Sequence, residues 1–229
     1  MIFENDNPQT NGEHMFVRFL ESIGKVNIIF DVGCRYDSEF INVKGTVHYF
    51  HPLPCFIEEL RHSPVNYNLK SIFNPFGLSD ISGLAMYYPN AQSFINRPVF
   101  CNSDQTPVEL KLKRGDEYMI SNNIENIDFL KIDTEGYELK VMKGFGEKLK
   151  NNNIIQFEYG GTYKDSETTL RETISYLEQF GFCNFSYLTH YGTERIIDFT
   201  DHYRYCNIVC INKNLDAIII DEFKQLSAK

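Results

Sequence analysis

The stretch Ile127-Asp128-Phe129-Leu130-Lys131-Ile132-Asp133-Thr134-Glu135-Gly136-Tyr137-Glu138 decides how the rest of this chain is read. It begins as an apolar run too short for a helix, which predicts a buried strand. It ends in Asp133, Glu135 and Glu138 around Gly136. Leu139, Met142, Phe145 and Leu149 then recur at helical spacing, which predicts a helix from Tyr137 to Lys150. A strand with acids at its carboxyl end and a helix close behind it is where open α/β sheets bind ligands. Acids at a helix start also complement the helix dipole, which is the plainer account of Glu138. Asp133 precedes the turn, on the strand end, where that account does not reach.

Working outward, similar units precede and follow. A strand from Val26 to Phe30 runs into the turn Asp31-Val32-Gly33-Cys34-Arg35-Tyr36-Asp37, where a glycine lets backbone approach a ligand closely. Gly45 to Phe50 predicts a second strand, ending in His51-Pro52, and Lys70 to Phe76 a third, ending in the turn Gly77-Leu78-Ser79-Asp80. Downstream, a strand from Asn153 to Tyr159 again carries an acid near its end, Glu158, followed by Gly160-Gly161. Helical spacing marks Gly12 to Ile23 (with Asn11 as cap), Pro54 to His62, and Glu167 to Phe180. Val108 to Leu112 alternates as a strand, and Gly115 to Ser121 forms a short helix before the central strand. Phe182 to Thr189 and Arg204 to Asn212 read as an antiparallel pair around the loop His190 to His202, and Ala217 to Phe223 docks as a helix or an edge strand. The alternation predicts an α/β, Rossmann-like fold: a mostly parallel seven-stranded sheet with a C-terminal antiparallel hairpin and helices on both faces.

The whole chain, residues 1–229, is of a length for one such domain. Residues 1–11 read as a loose lead-in. Residues 81–107 lack clear periodicity, which predicts a substrate-side insertion or a concealed hairpin. Tyr87, Tyr88 and Phe94 there are either ring-contacting groups or core aromatics under a loop. A formal charge of −9 argues against a surface built for nucleic-acid backbone, and Lys111, Lys113 and Arg114 form the one tight basic cluster. No apolar run has bilayer-spanning length and the first ten residues are polar and acidic, so a cytoplasmic location is expected. Six cysteines without a Cys-x-x-Cys pair fit reduced thiols better than a zinc site.

The sequence Phe129-Leu130-Lys131-Ile132-Asp133-Thr134-Glu135-Gly136-Tyr137-Glu138, with Val141-Met142-Lys143-Gly144 behind it, resembles the signature of the FkbM family of S-adenosylmethionine-dependent methyltransferases. Phe30-Asp31-Val32-Gly33, Gly77-Leu78-Ser79-Asp80 and Ile155-Gln156-Phe157-Glu158-Tyr159 agree with it in order, so the resemblance spans roughly Gly12 to Phe185. It implies a class I methyltransferase fold and S-adenosylmethionine as cofactor, with Asp31, Gly33, Cys34, His51, Leu78 and Ser79 near it. The acceptor it implies is a small molecule or carbohydrate, methylated at a sugar hydroxyl of a glycan or natural product. Four positions depart from the pattern. Asp37 stands where a second glycine is expected, Cys34 and Arg35 where a small residue and an Asn are, and His51 where relatives carry the Glu that holds the ribose hydroxyls.

The strand-end acids supply the remaining chemistry. Asp133, Glu135 and Glu158 are candidate general bases toward a hydroxyl. By analogy of fold position with metal-assisted O-methyltransferases, Asp133 and Glu158 are also candidate Mg²⁺ ligands. Lys131 shares a strand side with Asp133 and is expected to hold it ionised. One alternative is a non-catalytic binding or scaffolding protein on a degenerate fold, to which Asp37 and His51 point. Methylation of an RNA ribose or cap is the other, and it requires a basic groove.

Overall fold

The computed structural model describes residues 3–5, 7, 10–63, 70–96, 106–215 and 217–226. Arg97, Pro98 and the stretch from Cys101 to Gln105 lie outside the described residues.

The central sheet grows from the apolar runs read above. β1 (Ile28–Val32), β2 (Thr46–Phe50) and β3 (Ile72–Asn74) step outward in one direction. The chain then crosses back through β4 (Gly77–Ser79), β5 (Gly83–Tyr87) and β6 (Val108–Arg114) before β7 (Ile127–Ile132) pairs with the other side of β1. β8 (Asn152–Tyr159) continues parallel to β7, and β9 (Phe182–Thr189), β10 (Gly192–Arg195) and β11 (Cys206–Asn212) finish the sheet. Its order is β10-β9-β11-β8-β7-β1-β2-β3, parallel from β3 through β8 and antiparallel thereafter. Strand order therefore reverses at β1 and β7, the switch point that leaves a crevice outside the carboxyl ends.

Two details differ from the expected sheet. An eighth strand, β10, forms inside the loop predicted from His190 to His202, because Gly192 to Arg195 pair back on Ser186 to Thr189. Gly77 to Ser79, read as a turn, is a strand of a separate three-stranded sheet, β4-β6-β5. Alternation over residues 83–87 was masked by Ala85 and Met86, so this pairing had no sequence signature.

Helices cover both faces. α1 (Glu13–Ser22), α2 (Pro54–Arg61) and α7 (Ala217–Leu226) bury Phe16, Leu20, Ile57, Leu60 and Phe223 on one side of the sheet. α3 (Gly115–Ser121), α4 (Glu138–Gly144) and α6 (Leu170–Gln179) bury Met119, Met142, Ile174 and Leu177 on the other. A short helix, α5 (Thr162–Asp165), precedes α6, whose cap Thr169 accepts a hydrogen bond from the Glu172 amide. The predicted helix from Tyr137 to Lys150 is divided. α4 stops at Gly144, and a 3₁₀ segment from Gly146 to Asn151 follows. Close packing sets the stop: a Cβ on Gly144 would lie 1.9 Å from the Ser79 carbonyl oxygen of β4.

The lead-in is docked where it is described. Glu4 exchanges hydrogen bonds with the backbone of Tyr205, and Phe3 packs edge-on against Tyr187. Among the described residues no helix is long and apolar enough to cross a membrane. Cys34, Cys206 and Cys210 are buried, Cys183 is half-buried and Cys55 is exposed, all as free thiols.

Candidate active site

Parallel pairing aligns the site residues in two rows. Asp31 on β1 is in register with Lys131 on β7, and Lys131 with Gln156 on β8. Two residues on, the same register sets Gly33, Asp133 and Glu158 side by side at the carboxyl ends of these strands. With neighbouring strands about 5 Å apart, those two acids meet on one face. Except for Gln156, the two rows line a cavity of about 500 Å³ that also reaches His51, Glu135 and Tyr205. A narrow apolar cleft opens beside it, sharing Gly33, His51 and Asp133 and walled by Pro52, Leu78, Phe94 and Tyr137.

The turn after β7 is built for this position. Glu138, the first residue of α4, folds its carboxyl back to accept from the Thr134 amide at 2.8 Å, the Thr134 hydroxyl at 3.0 Å and the Gly136 amide at 3.2 Å. It is fully buried, its other oxygen has no partner, and burial raises its pKa to about 7. Glu138 therefore braces the loop rather than serving the helix dipole alone. Glu135, at the tip, holds a left-handed backbone with φ 55°, and its carbonyl accepts from Ser93 Oγ at 2.9 Å. Gly33 meets this turn from β1: with φ 93°, any Cβ there would sit 1.7 Å from the Asp133 carbonyl oxygen.

Lys131 is bonded to two acids other than Asp133. Its amine lies 2.7 Å from Glu39 Oε1 and 2.9 Å from Glu13 Oε1, both brought in from distant parts of the chain. Glu13 also accepts from Gln156 at 2.9 Å and Asn11 at 2.7 Å. Burial would raise Glu13, and Lys131 with these donors outweighs it, so its pKa is lowered. Glu39, buried and beside other acids, is instead pushed up to about 8. One cation cannot hold both ionised. For Asp133, burial raises the pKa to about 7, while the charge of Lys131 pulls it down, in the expected direction, without outweighing burial. Burial, then the neighbouring Asp133 and Glu135, raises Glu158 further.

The cofactor-side residues divide. Asp31, Gly33, Cys34 and His51 line the cavity, and Leu78 walls the cleft. Ser79 lines neither; it is buried, and its hydroxyl donates to Asp80 at 2.9 Å. Asp31 accepts from Ser38 Oγ at 2.6 Å, and burial raises its pKa against the pull of Lys131. His51 packs on Phe56 with ring centroids 4.4 Å apart, and burial lowers its pKa to about 4. Its Nδ1 lies 3.1 Å from the Leu53 amide nitrogen and 3.4 Å from the Leu53 carbonyl oxygen, and the shorter contact, in which it accepts, favours the ring proton on Nε2. Of the insertion aromatics, Tyr87 is 1% exposed and packs on Phe94, which packs on Tyr137. Tyr87 and Phe94 both line the cleft. Neither late histidine lines the cavity, and His202 bonds Tyr187 instead.

A family model for the methyltransferase FkbM domain matches residues 31–183. The chain belongs to the FkbM methyltransferase family. A relative, the hexuronic acid methyltransferase AglP of Haloferax volcanii, is 27% identical over 171 residues, covering 70% of this chain and 69% of that protein. A solved magnesium protoporphyrin IX methyltransferase (ChlM) from Synechocystis PCC 6803 with bound SAH aligns at TM-score 0.45 and 9% identity, over 93% of this chain and 91% of that one. Likeness at that level carries no argument about this chain.

An FkbM member implies a methyl donor, and the donor set here fits one that is cationic with a flat ring: buried acids in the cavity, an apolar cleft, and an N–H on His51. Mg²⁺ is a different matter. Among the described residues no three His, Cys, Asp or Glu side chains form a metal-holding group. The Mg²⁺ expectation on these two residues is not supported.

The sequence reading missed Glu13, Glu39 and Tyr205. A lysine inside an apolar strand does signal that a buried counter-charge exists, but nothing local says which acid, 92 residues away for Glu39, supplies it.

Proposed function

We propose that this protein transfers the methyl group of S-adenosylmethionine to an oxygen, a sugar hydroxyl, with Asp133 as general base. The observation that carries the reading is Asp133 itself. It is a carboxyl at the switch-point crevice, in no ion pair among the described residues, and burial raises its pKa to about 7, where a base is most effective near neutral pH. Family membership and the relative that acts on a hexuronic acid support it.

Bound S-adenosylmethionine supplies the electrophilic methyl carbon on a sulfonium. The chain's own residues do the rest. Gly33 leaves backbone open at the end of β1, Asp31 contributes negative charge, and Leu78, Phe94 and Tyr137 offer the apolar cleft to a ring. His51 donates from Nε2 to an acceptor oxygen, in place of the carboxylate expected there. Asp133 takes the hydroxyl proton, and Glu158 and Glu135 hold the acceptor beside it. Because Glu13 and Glu39 occupy Lys131, that lysine positions the floor and does not neutralise the base.

The test is calorimetric titration of the protein with S-adenosylhomocysteine, followed by methyl transfer to glycans by Asp133→Asn. Micromolar binding together with a loss of turnover of roughly 10²–10⁴-fold in the variant is expected. Absence of binding at millimolar ligand would leave the non-catalytic scaffold as the better reading, through Asp37 and His51.

A further inference from the structure

The cavity is unevenly charged. Eight Asp and Glu side chains line it against two basic ones, Lys131 and Arg35. Lys131 is already bonded to Glu13 and Glu39. Arg35 is exposed, on the side where its charge reaches His51. The donor's positive charge has Asp31 to face it. Asp133 and Glu158, at the ends of β7 and β8, make no ion pair among the described residues.

Glu158 is the sharpest case. It is 7% exposed, lines the cavity, and no hydrogen bond or ion pair reaches its carboxyl from any described residue. Burial first, and then the neighbouring acids with Asp133 foremost, push it toward the protonated form. A buried carboxyl is costly unless something pairs with it. An ammonium group suits such a place, since it brings opposite charge and three donors with no acceptor. A carboxylate entering here would meet only like charge.

Resting on the methyl-transfer reading, we propose that the acceptor carries an amine held by Glu158 next to the hydroxyl served by Asp133, so that it is an amino sugar and not a uronic acid. In this the chain parts from AglP, whose name assigns it a hexuronic acid.

Ligand-observed NMR of the full chain with the methyl glycosides of glucosamine, glucose and glucuronic acid, with and without S-adenosylhomocysteine, tests this. The glucosamine glycoside should bind about tenfold or more tighter than the glucuronide, the scale of one charge-assisted bond, with glucose between. Glu158→Gln should erase most of that advantage, while Glu158→Asp, which keeps the charge, should retain its direction. Added salt should narrow the gap. Equal or tighter glucuronide binding, no binding of any glycoside, or an advantage that survives Glu158→Gln in a folded variant overturns the proposal. Amine preference without S-adenosylhomocysteine binding would remove the methyl-transfer reading and leave the amine site standing; the reverse pattern would remove the amine site alone.

Discussion

Lys131 Nζ lies 2.7 Å from Glu39 Oε1, with both side chains nearly buried, so the cation of β7 is held by an acid from a distant part of the chain. It ties three separate parts of the chain, through Glu13, Glu39 and β7, beneath the cavity floor.

Lys131→Met should therefore cost stability before it alters chemistry. Leaving Glu13 and Glu39 buried without a cation is expected to destabilise by about 3–5 kcal/mol. The triple variant that also carries Glu13→Gln and Glu39→Gln should recover most of it, as read by urea denaturation. A single variant within about 0.5 kcal/mol of the parent would contradict the buried-triad account.

Glu138 separates hydrogen bonding from titration. Glu138→Ala should cost roughly 2–4 kcal/mol by releasing the Thr134 and Gly136 donors. Glu138→Gln keeps an acceptor there. The native carboxyl is raised from 4.5 to about 7, so the folded protein binds more protons than the unfolded chain in that window. Its stability then falls as pH rises from about 4.5 to about 7. The Gln variant lacks this loss, so its stability relative to the parent should climb across that window and level off above it.

Methyl transfer should show the proton on Asp133. With a pKa of about 7, kcat/KM is expected to rise with pH through about 7 and level off above. A flat profile from pH 5 to 8 would exclude Asp133 as the base.

His51 predicts a donor, not an acceptor. Its lowered pKa of about 4 leaves it neutral from pH 5 upward, so it should add no pH dependence to S-adenosylhomocysteine binding there. His51→Phe, which keeps the ring against Phe56, should weaken that binding about fivefold to tenfold, the value of one hydrogen bond. Calorimetry at two pH values checks both statements.

Gly33→Ala combines a left-handed φ with a collision against backbone that cannot move aside. A loss of at least ~2 kcal/mol in stability is expected, together with lost ligand binding. Thermal denaturation with and without S-adenosylhomocysteine distinguishes the two.

The sequence by itself determined the parallel half of the sheet, the switch-point crevice and the acids at its rim. Those features are periodic or local: apolar runs of strand length, a glycine turn after Asp31, and acids at the strand ends before a change of period. It also placed Lys131 and Asp133 on one side of β7, since alternation alone fixes that. Only the tertiary structure decided what Lys131 bonds to, because Glu13 and Glu39 reach it by long-range packing with no spacing rule. The same holds for β10 and the small β4-β6-β5 sheet, whose short strands form because partners are available across the fold. The protonation leaning of Asp133 and Glu158 was likewise out of reach, since it follows from burial and from the closeness of other acids, and neither exists until the chain has folded.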